Sequence, residues 1–187
     1  MRVKIQSVVQ FLVPPVLDLG CGKSKTPKSV GLDISAHNGV DIVGDLNNPL
    51  PFYSESFNTI TANQVFEHIL DLVPLIAEIH RVLKPGGKLI ASTPYFRSSW
   101  ASLDPTHVRQ FTICSLDYFV KDTFYYNQYR FFEQAFSSRI TILDHEYPQT
   151  VLRKFFSKRA LRNPIAHENS FFSFLFPFQQ ITYILTK

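Results

Sequence analysis

Two glycines and two acidic residues near the start of the chain have types and spacing that suit a nucleotide-like ligand. Residues 16–22 read VLDLGCG, and residues 30–35 read VGLDIS. Glycine lacks a Cβ atom, so Gly20 and Gly22 can adopt unusual backbone angles and let a ligand lie against bare backbone. Asp33 ends the second apolar run, where its carboxylate could accept hydrogen bonds from two ribose hydroxyls. These residues therefore predict a cofactor that carries a ribose.

Two classes of cofactor compete for this turn. A dinucleotide site has a third glycine and a helix whose N-terminus faces the pyrophosphate. Here Ser24 stands in place of the third glycine and Pro27 would interrupt a helix. Asp33 comes 13 residues after Gly20, whereas the dinucleotide pattern has about 20. S-adenosylmethionine (SAM) has no phosphate, so the residues favour SAM. An ordinary strand and turn, with glycines for geometry alone, is the remaining alternative.

The elements that must position these residues alternate between strands and helices. Apolar runs predict strands at residues 16–19, 30–34, 41–43, 58–62, 88–93, 139–144 and 180–186. Between the fourth and fifth strands, apolar residues recur over residues 69–83 with the spacing of a helix that buries one face. A further helix is predicted from Ser115, as its N-cap, to about Phe124. Such α/β sheets bind ligands outside the carboxyl ends of their strands. Four candidate site residues fall at such ends: Gly20, Asp33, Asp45 and Asn63.

Six motifs, in this order, resemble the class I SAM-dependent methyltransferases of the small type 11 kind. They are VLDLGCG (16–22), VGLDIS (30–35), VGDLNNPLPFYSESFNTI (43–60), ANQVFEHI (62–69), EIHRVLKPGGKLIASTP (78–94) and DPTHVRQFT (104–112). The resemblance implies SAM as cofactor and a Rossmann-like, seven-stranded, mostly parallel sheet with an antiparallel last strand. Ser24 and the short segment after it depart from the family pattern. The first crossover is therefore expected to be a lysine-rich loop, with its helix shortened or absent.

The resemblance assigns the cofactor contacts to residues at the ends of the first four strands. Asp18 would lie near the methionyl group, and Asp33 would hold the ribose. Asp45 would accept from the adenine amino group, while Asn63 would meet the methionyl ammonium. Asp45 could instead cap only a turn and Asn63 only a helix. The full predicted set is Asp18, Gly20, Cys21, Gly22, Asp33, Ile34, Asp45, Leu46 and Asn63.

Three residues, His107, His68 and Asp104, are candidates to act on the methyl acceptor, with Glu67 as a further one. Methyl transfer is an in-line displacement, in which alignment can supply most of the rate. A base helps when the acceptor must lose a proton. His107 follows the fifth strand in a loop, where a histidine is either a base or a structural hydrogen-bonding group that pins the loop. The simplest role of His68 is to orient its neighbours.

The other histidines do not indicate a metal site. His80 recurs on the apolar face of the predicted helix and is most simply a core residue. His37, His145 and His167 have no ligand spacing. The two cysteines, Cys21 and Cys114, suggest neither a disulfide framework nor a metal centre. The sequence therefore predicts no metal ion.

The bulk properties predict a single domain, residues 1–187, in the cytoplasm. A chain of 187 residues with 45% hydrophobic content can bury one sizeable core. No apolar run reaches the roughly 20 residues that span a bilayer. The early stretch VVQFLVPPVL is interrupted by two prolines and lacks a secretory pattern. The sequence does not indicate an oligomeric state.

The last third of the chain accounts for the whole net positive charge of the protein. Residues 1–120 hold ten basic and ten acidic side chains, and residues 121–187 hold nine and five, which accounts for the net charge of +4. Residues 147–179 form an insertion between the last two strands and are predicted to cover the substrate side. A simple core cover is one interpretation of this segment. An RNA surface and peripheral membrane contact through residues 151–178 are the others.

The sequence excludes some classes of methyl acceptor but does not identify the acceptor itself. No NPPY-like motif follows the fourth strand, which disfavours methylation of exocyclic amino groups of bases. Neither cysteine is placed as a nucleophile that attacks pyrimidines. An oxygen, nitrogen or carbon of a small molecule, lipid or sugar remains, with RNA as the alternative. The alternative to an enzyme is a non-catalytic SAM-binding regulatory or scaffold subunit.

Overall fold

One seven-stranded sheet organises the chain in a computed structural model that describes residues 9–130, 132–144 and 151–187. His145 and residues 147–150 of the predicted insertion lie outside the described residues, as does the Arg153 side chain. The strands are β1 (Val16–Leu19), β2 (Ser29–Asp33), β3 (Ile42–Val43), β4 (Phe57–Asn63), β5 (Leu83–Pro94), β6 (Ser138–Asp144) and β7 (Gln180–Thr186). The helices are α1 (Leu72–Val82), α2 (Trp100–Leu103), α3 (Phe124–Tyr129), α4 (Val151–Arg162), α5 (Pro164–Glu168) and α6 (Phe172–Leu175). Single 3-10 turns span Val9–Phe11, Phe66–His68 and Asp117–Phe119.

The strand order is β3-β2-β1-β4-β5-β7-β6, which confirms the predicted fold class. The first five strands run parallel, and β7 is antiparallel to both β5 and β6. All four residues of β1 are buried, as expected for a central strand covered on both faces. From β1 the chain first adds β2 and β3 on one side and then β4 on the other. The order therefore reverses at the carboxyl ends of β1 and β4, where α/β sheets bind their ligands.

The first crossover, residues 20–28, contains no helix, as predicted. Polar side chains of the neighbouring strands and loops hold this loop in place. Asp18 accepts a hydrogen bond from the backbone N–H of Thr26 at 2.7 Å. Asp41 accepts from the Lys25 ammonium and from the backbone N–H of Gly31, both at 2.7 Å. Because no helix begins at the glycine turn, the turn offers no helix dipole to a pyrophosphate.

Two predicted boundaries are wrong. The fifth strand begins at Leu83, directly after α1, rather than at residue 88. The Pro-Gly-Gly sequence lies within β5, and a shift of register against β4, between Phe57 and Thr59, accommodates it. The helix predicted from Ser115 does not form, since the Ser115 hydroxyl accepts from the backbone N–H of Thr112 and closes a turn there. Helix α3 starts later, with Thr123 as its cap.

The core lies on both sides of the sheet, and α1 covers one of these sides. Helix α1 buries Leu75, Ile76 and Ile79, which have the spacing read from the sequence. The prediction that His80 is a core residue is right in part, because its ring is half-buried and contacts Phe132 and Phe136 edge-on. Among the described residues, no helix has the length and apolar character needed to cross a membrane.

The stability of the fold is expected to fall in mild acid because of His80. Burial lowers the pKa of His80 to about 4, and the nearby Lys187 and Lys121 ammonium groups add to this effect. The unfolded chain binds a proton on this histidine below its ordinary pKa of about 6.5. The free energy of unfolding should therefore decrease as the pH falls from about 6.5 to 4. The expected loss is about 1–2 kcal/mol, because the ring is partly solvated.

Urea unfolding at pH 7, 6, 5 and 4 measures this effect. His80→Phe keeps an aromatic ring against Phe132 and Phe136 and removes the titrating group. The wild-type protein should lose more stability than this variant over the pH range, since the remaining histidines are common to both. Identical pH profiles for the two proteins would contradict the assignment.

Candidate active site

A cavity of about 330 Å³ opens at the carboxyl ends of β1, β4 and β5 and at the amino end of the antiparallel β7. Its volume falls within the range of about 300–1,000 Å³ that small-molecule sites have. The structure brings five members of the predicted cofactor set to its walls: Asp18, Gly20, Cys21, Gly22 and Asn63. Residues 23–27 of the lysine-rich loop form a further wall. The cavity therefore lies at the reversal of the strand order, where the topology predicts a ligand.

The glycine turn needs both of its glycines, for different reasons. Gly20 has a φ angle of +59°, and a Cβ atom there would lie 2.5 Å from Cγ2 of Val65. Gly22 has a φ angle of +48°, but a Cβ atom there would face open space. Gly20 thus fits against the segment that follows β4, whereas Gly22 provides backbone flexibility and a bare surface. Both φ angles lie in the left-handed region that disfavours residues with a side chain.

Asp18 is nearly inaccessible, with 4% of its surface exposed. One carboxylate oxygen accepts from the Thr61 hydroxyl at 2.7 Å, and the other accepts from the backbone N–H of Thr26 at 2.7 Å. Asp18 therefore ties the lysine-rich loop to β4 beneath the cavity. Burial, together with the negative charges of Asp18 and Asp33, raises the pKa of the neighbouring Cys21 thiol. Cys21 is thus neutral at physiological pH and unsuited to act as a nucleophile.

Asp33 does not line this cavity, but a hydrogen bond joins it to the glycine turn. Its Oδ2 atom accepts from the backbone N–H of Gly22 at 2.8 Å, and its Oδ1 atom accepts from that of Ser35 at 2.9 Å. A carboxylate has about four acceptor positions, so two remain on the Asp33 carboxylate. The two N–H groups orient this carboxylate at the end of β2. The predicted contact with a ribose remains a prediction.

The other three predicted residues at this end of the sheet also lie outside the cavity. Ile34 is 68% exposed, next to Asp33. Asp45 accepts from the backbone N–H of Asn47 at 2.9 Å and from its side-chain amide at 2.8 Å, which is the turn-capping geometry left open above. Leu46 packs into the core. Their contacts with an adenosyl group remain predictions.

Asn63, at the end of β4, is held across the sheet by β5. Its Oδ1 atom accepts a hydrogen bond from the hydroxyl of Ser92. Ser92, Gln180 and Thr182 line the cavity beside it and were not predicted from the sequence. In the sequence they are polar residues within the otherwise apolar strands β5 and β7. The structure shows that all three are buried.

The three predicted catalytic residues lie together in a second place, where the loop after α2 contacts the Phe66–His68 turn. The backbone N–H of Val108 donates to the carbonyl of Glu67 at 2.9 Å and joins the two segments. The rings of His68 and His107 meet edge-on, with centroids 4.7 Å apart. His107 and Asp104 also line an open cavity of about 400 Å³. The structure thus brings the three candidates together, and their catalytic roles remain predictions.

Hydrogen bonds set the orientation of both histidine rings. Asp104 Oδ1 accepts from the Thr106 hydroxyl at 2.6 Å, so this hydroxyl accepts in turn from Nδ1 of His68 at 2.9 Å. Nδ1 of His107 donates to the carbonyl of Ala101 at 3.2 Å. Each ring therefore carries a proton on Nδ1, and in its neutral form it has its lone pair on Nε2.

Glu67 completes this group and is 1% exposed. Neither of its carboxylate oxygens has a hydrogen-bond partner among the described residues. Burial raises the pKa of Glu67 to about 7, and the negative charge of Asp104 adds to this effect. A buried carboxyl group with no internal partner is costly for a fold and is common at functional sites.

Helices α4, α5 and α6 pack beside the loops that carry these residues. Glu168 of α5 accepts a hydrogen bond from the backbone N–H of Ile113 at 2.8 Å. Arg97, which follows β5, donates to the Glu168 carbonyl at 3.0 Å and lies over the ring of Phe174, 3.5 Å from its centroid. The α4 side chains Lys154, Lys158, Arg159 and Arg162 are exposed. The RNA and membrane alternatives for this segment remain predictions.

Known proteins match this chain in its central motifs and in its fold. Residues 17–91 match the family model of the type 11 methyltransferase domain. The chain is 42% identical over 69 residues to malonyl-(acyl-carrier protein) O-methyltransferase 1 of Coxiella burnetii, which covers 34% of this chain and 24% of that protein. It is 28% identical over 122 residues to a "probable S-adenosylmethionine-dependent methyltransferase" of Mycolicibacterium smegmatis, which covers 54% of this chain and 48% of that protein. The chain thus spans half or less of the length of these curated relatives.

A solved structure extends the likeness over the whole sheet. The structure of a SAM-dependent methyltransferase from Archaeoglobus fulgidus superposes with a TM-score of 0.65 at 15% identity, covering 98% of this chain and 91% of that one. At this identity the likeness concerns the fold. Residues 17–91 thus match a type 11 methyltransferase domain, and the strand order and the cavity at the reversal of that order agree with the class I methyltransferase fold.

Proposed function

We propose that this protein transfers the methyl group of SAM to an oxygen atom of a small molecule, of the lipid or sugar class. The observation that carries the proposal is the cavity at the end of β1, bounded by the glycine turn and by polar side chains of β4, β5 and β7. A relative named as an O-methyltransferase supports the choice of an oxygen acceptor. The cluster of Asp104, His68 and His107 at the second cavity also supports it, since an oxygen acceptor must usually lose a proton.

The residues at the end of the sheet fit SAM. Gly22 leaves open space on the cavity side, where a ligand can lie against the backbone. The two acceptor positions that remain on Asp33 match the two hydroxyls of a ribose. Asn63 offers polar atoms at the cavity wall, where an ammonium or carboxylate group of a methionyl chain could bind. SAM, when bound, supplies an electrophilic methyl group on a sulfonium.

The chain's own contribution to the transfer would be alignment and proton removal. We assign the handling of the acceptor to His107 and His68, with Asp104 as a positioning residue that acts through Thr106. The lone pairs on the two Nε2 atoms are available to accept a proton from the acceptor. The hydrogen bonds that Nδ1 donates hold each ring in this orientation. The nitrogen that takes the proton is therefore in place before the methyl acceptor binds.

The helical insertion would cover the acceptor. Residues 147–179 connect β6 and β7, and the described part of this segment packs on the loop that follows β5. Asp144 and Gln180, at the two ends of the insertion, line the cavity. A cover in this position could exclude water from the reacting atoms. We therefore assign acceptor selection to this insertion.

SAM binding by an Asp33→Asn variant tests the cofactor half of the proposal. Hydrogen bonds to a charged group contribute roughly 1.5–3 kcal/mol, so the variant should bind SAM about tenfold to a hundredfold more weakly. Calorimetric titration of the purified chain with SAM measures this change. Glu133→Gln removes one exposed carboxylate elsewhere and should bind SAM as the wild type does. If the wild-type chain does not bind SAM at all, the enzyme proposal fails and a scaffold that does not bind SAM replaces it.

A further inference from the structure

The described residues contain a group of metal-ligand side chains that was not predicted from the sequence. Glu67, His68 and His107 each offer a ligand atom, and these atoms all lie within 4.8 Å of one another. We propose that these three residues bind a divalent first-row transition-metal ion of the Zn²⁺ or Co²⁺ type. This proposal replaces the expectation that the chain has no metal site.

The strongest evidence is the state of Glu67. Its carboxylate is buried, and neither oxygen has a partner among the described residues. A carboxylate withdrawn from water without a hydrogen bond or a countercharge is strongly unfavourable, so buried carboxylates are normally paired or bound to metals. The imidazoles of His68 and His107 lie beside this carboxylate, with ligand atoms within 4.8 Å of its oxygen. A cation between the three groups would supply the missing countercharge.

The histidine tautomers suit metal binding. Metal-ligating histidines almost always donate their second N–H group to a carbonyl, a carboxylate or a similar acceptor. Here His107 donates from Nδ1 to the Ala101 carbonyl, and His68 donates from Nδ1 to Thr106, which is bonded in turn to Asp104. Both rings thus leave the Nε2 lone pair available for an ion. The outer hydrogen bonds hold the rings in place whether or not an ion is bound.

The donor set indicates the class of metal. Two imidazole nitrogens and one carboxylate oxygen suit Zn²⁺, Co²⁺ or Fe²⁺, whereas Mg²⁺ and Ca²⁺ prefer oxygen ligands alone. Ligand atoms about 2.0–2.2 Å from a tetrahedral ion lie about 3.4 Å apart. Ligand atoms that lie within 4.8 Å of one another therefore need to approach by at most about 1.4 Å around an ion.

Three protein ligands leave at least one coordination position open, as in sites where the metal takes part in a reaction. His107 borders the open cavity of about 400 Å³, which gives a further ligand a way in. With an ion bound, both Nε2 lone pairs are taken, so the ion would replace the imidazoles as the group that favours the deprotonated form of an acceptor oxygen held in this position. This use of the ion depends on the proposed methyl transfer, whereas the binding of the ion does not.

Titration of the tag-free, metal-stripped protein with Co²⁺ tests the site. We expect one ion per chain and visible absorption bands typical of a low-coordinate Co²⁺ site, which Zn²⁺ should abolish by competition. Mg²⁺ at the same concentration should not displace Co²⁺. Glu67→Gln and His107→Asn should each weaken Co²⁺ binding at least tenfold. His37→Asn, a change of one exposed histidine elsewhere, should bind Co²⁺ as the wild type does.

Two outcomes would overturn the site: no stoichiometric binding of Co²⁺ or Zn²⁺ to the wild type, or equal affinity in wild type, Glu67→Gln and His107→Asn. Glu67→Gln keeps the shape of the side chain and removes a buried charge, so it should fold at least as stably as the metal-free wild type. Far-UV circular dichroism checks this. Titration of the wild-type protein with SAM separates the two proposals. A wild-type protein that binds Co²⁺ but not SAM would overturn the proposed function and leave the metal site standing.

Discussion

Gly20→Ala is expected to lower the free energy of unfolding by about 2–5 kcal/mol and to weaken SAM binding at least tenfold. Two costs add at this position. A left-handed φ angle costs a residue with a side chain about 1–2 kcal/mol. The new methyl group would also lie 2.5 Å from Cγ2 of Val65, and overpacking of this kind costs about 1–3 kcal/mol. The turn must move to relieve the contact, and the cavity wall moves with it.

Two companion variants separate the costs. Gly22 has a similar φ angle, but no atom lies within 4 Å of the methyl group that Gly22→Ala would add. This substitution should therefore lower the free energy of unfolding only by the backbone cost of about 1–2 kcal/mol. In a Val65→Ala background the atoms that clash are absent, and Gly20→Ala should cost less there than in the wild type. Urea unfolding of the four proteins in this double-mutant cycle gives the coupling between the two positions. An equal cost of Gly20→Ala in both backgrounds would contradict the steric explanation.

His107→Ala is expected to reduce methyl transfer by about 10²–10⁴-fold and to leave the affinity for SAM unchanged. General acid-base catalysis contributes this much when the group acts on the acceptor. A histidine that holds a bound ion would have an effect in the same direction. His107 lies in the loop after α2, away from the glycine turn, so its loss should not disturb the cofactor. A role limited to pinning the loop would instead lower stability and leave turnover per folded molecule unchanged.

The assay uses labelled SAM with fractionated cell extract to find an acceptor, and then the active fraction with each variant. His37→Ala serves as the matched control, because its side chain is exposed and distant from the loop in the sequence. Asp104→Ala should reduce turnover less than His107→Ala, since Asp104 acts through Thr106 on the His68 ring. Unchanged turnover in His107→Ala would exclude it as a catalytic residue.

Most strands and helix α1 could be predicted from local patterns, and the arrangement of the strands in the sheet from the resemblance to the type 11 methyltransferases. Strand β1 reads as an apolar run and is buried throughout, and α1 buries the face that its spacing indicates. The absence of the first helix could also be predicted, because Pro27 and the lack of apolar periodicity are properties of the segment itself. The predictions failed where tertiary contacts overrode local signals. Ser115 closes a turn with Thr112, and the Pro-Gly-Gly sequence is taken into β5 because β4 lies beside it.

The candidate site could be predicted in part. The glycine turn and Asn63 are found at one cavity because strand ends of a parallel sheet necessarily meet at one edge. Gln180 and Thr182 belong to the same cavity, although they come from the far end of the chain. Their participation depends on β7 being inserted antiparallel beside β5, and no local signal in the strand indicates which of its polar residues face a ligand.

The sequence by itself predicted SAM as cofactor, the resemblance to the type 11 methyltransferases and the loop in place of the first helix, because these depend on residue types and motifs at short spacing. The tertiary structure decided what each side chain contacts. It placed His107 against His68 and Glu67, left the Glu67 carboxylate buried without a hydrogen-bond partner among the described residues, and fixed both histidine tautomers through Ala101 and Thr106. These contacts join segments far apart in the chain, and their energies depend on burial and hydrogen-bond geometry, which no spacing along a sequence encodes.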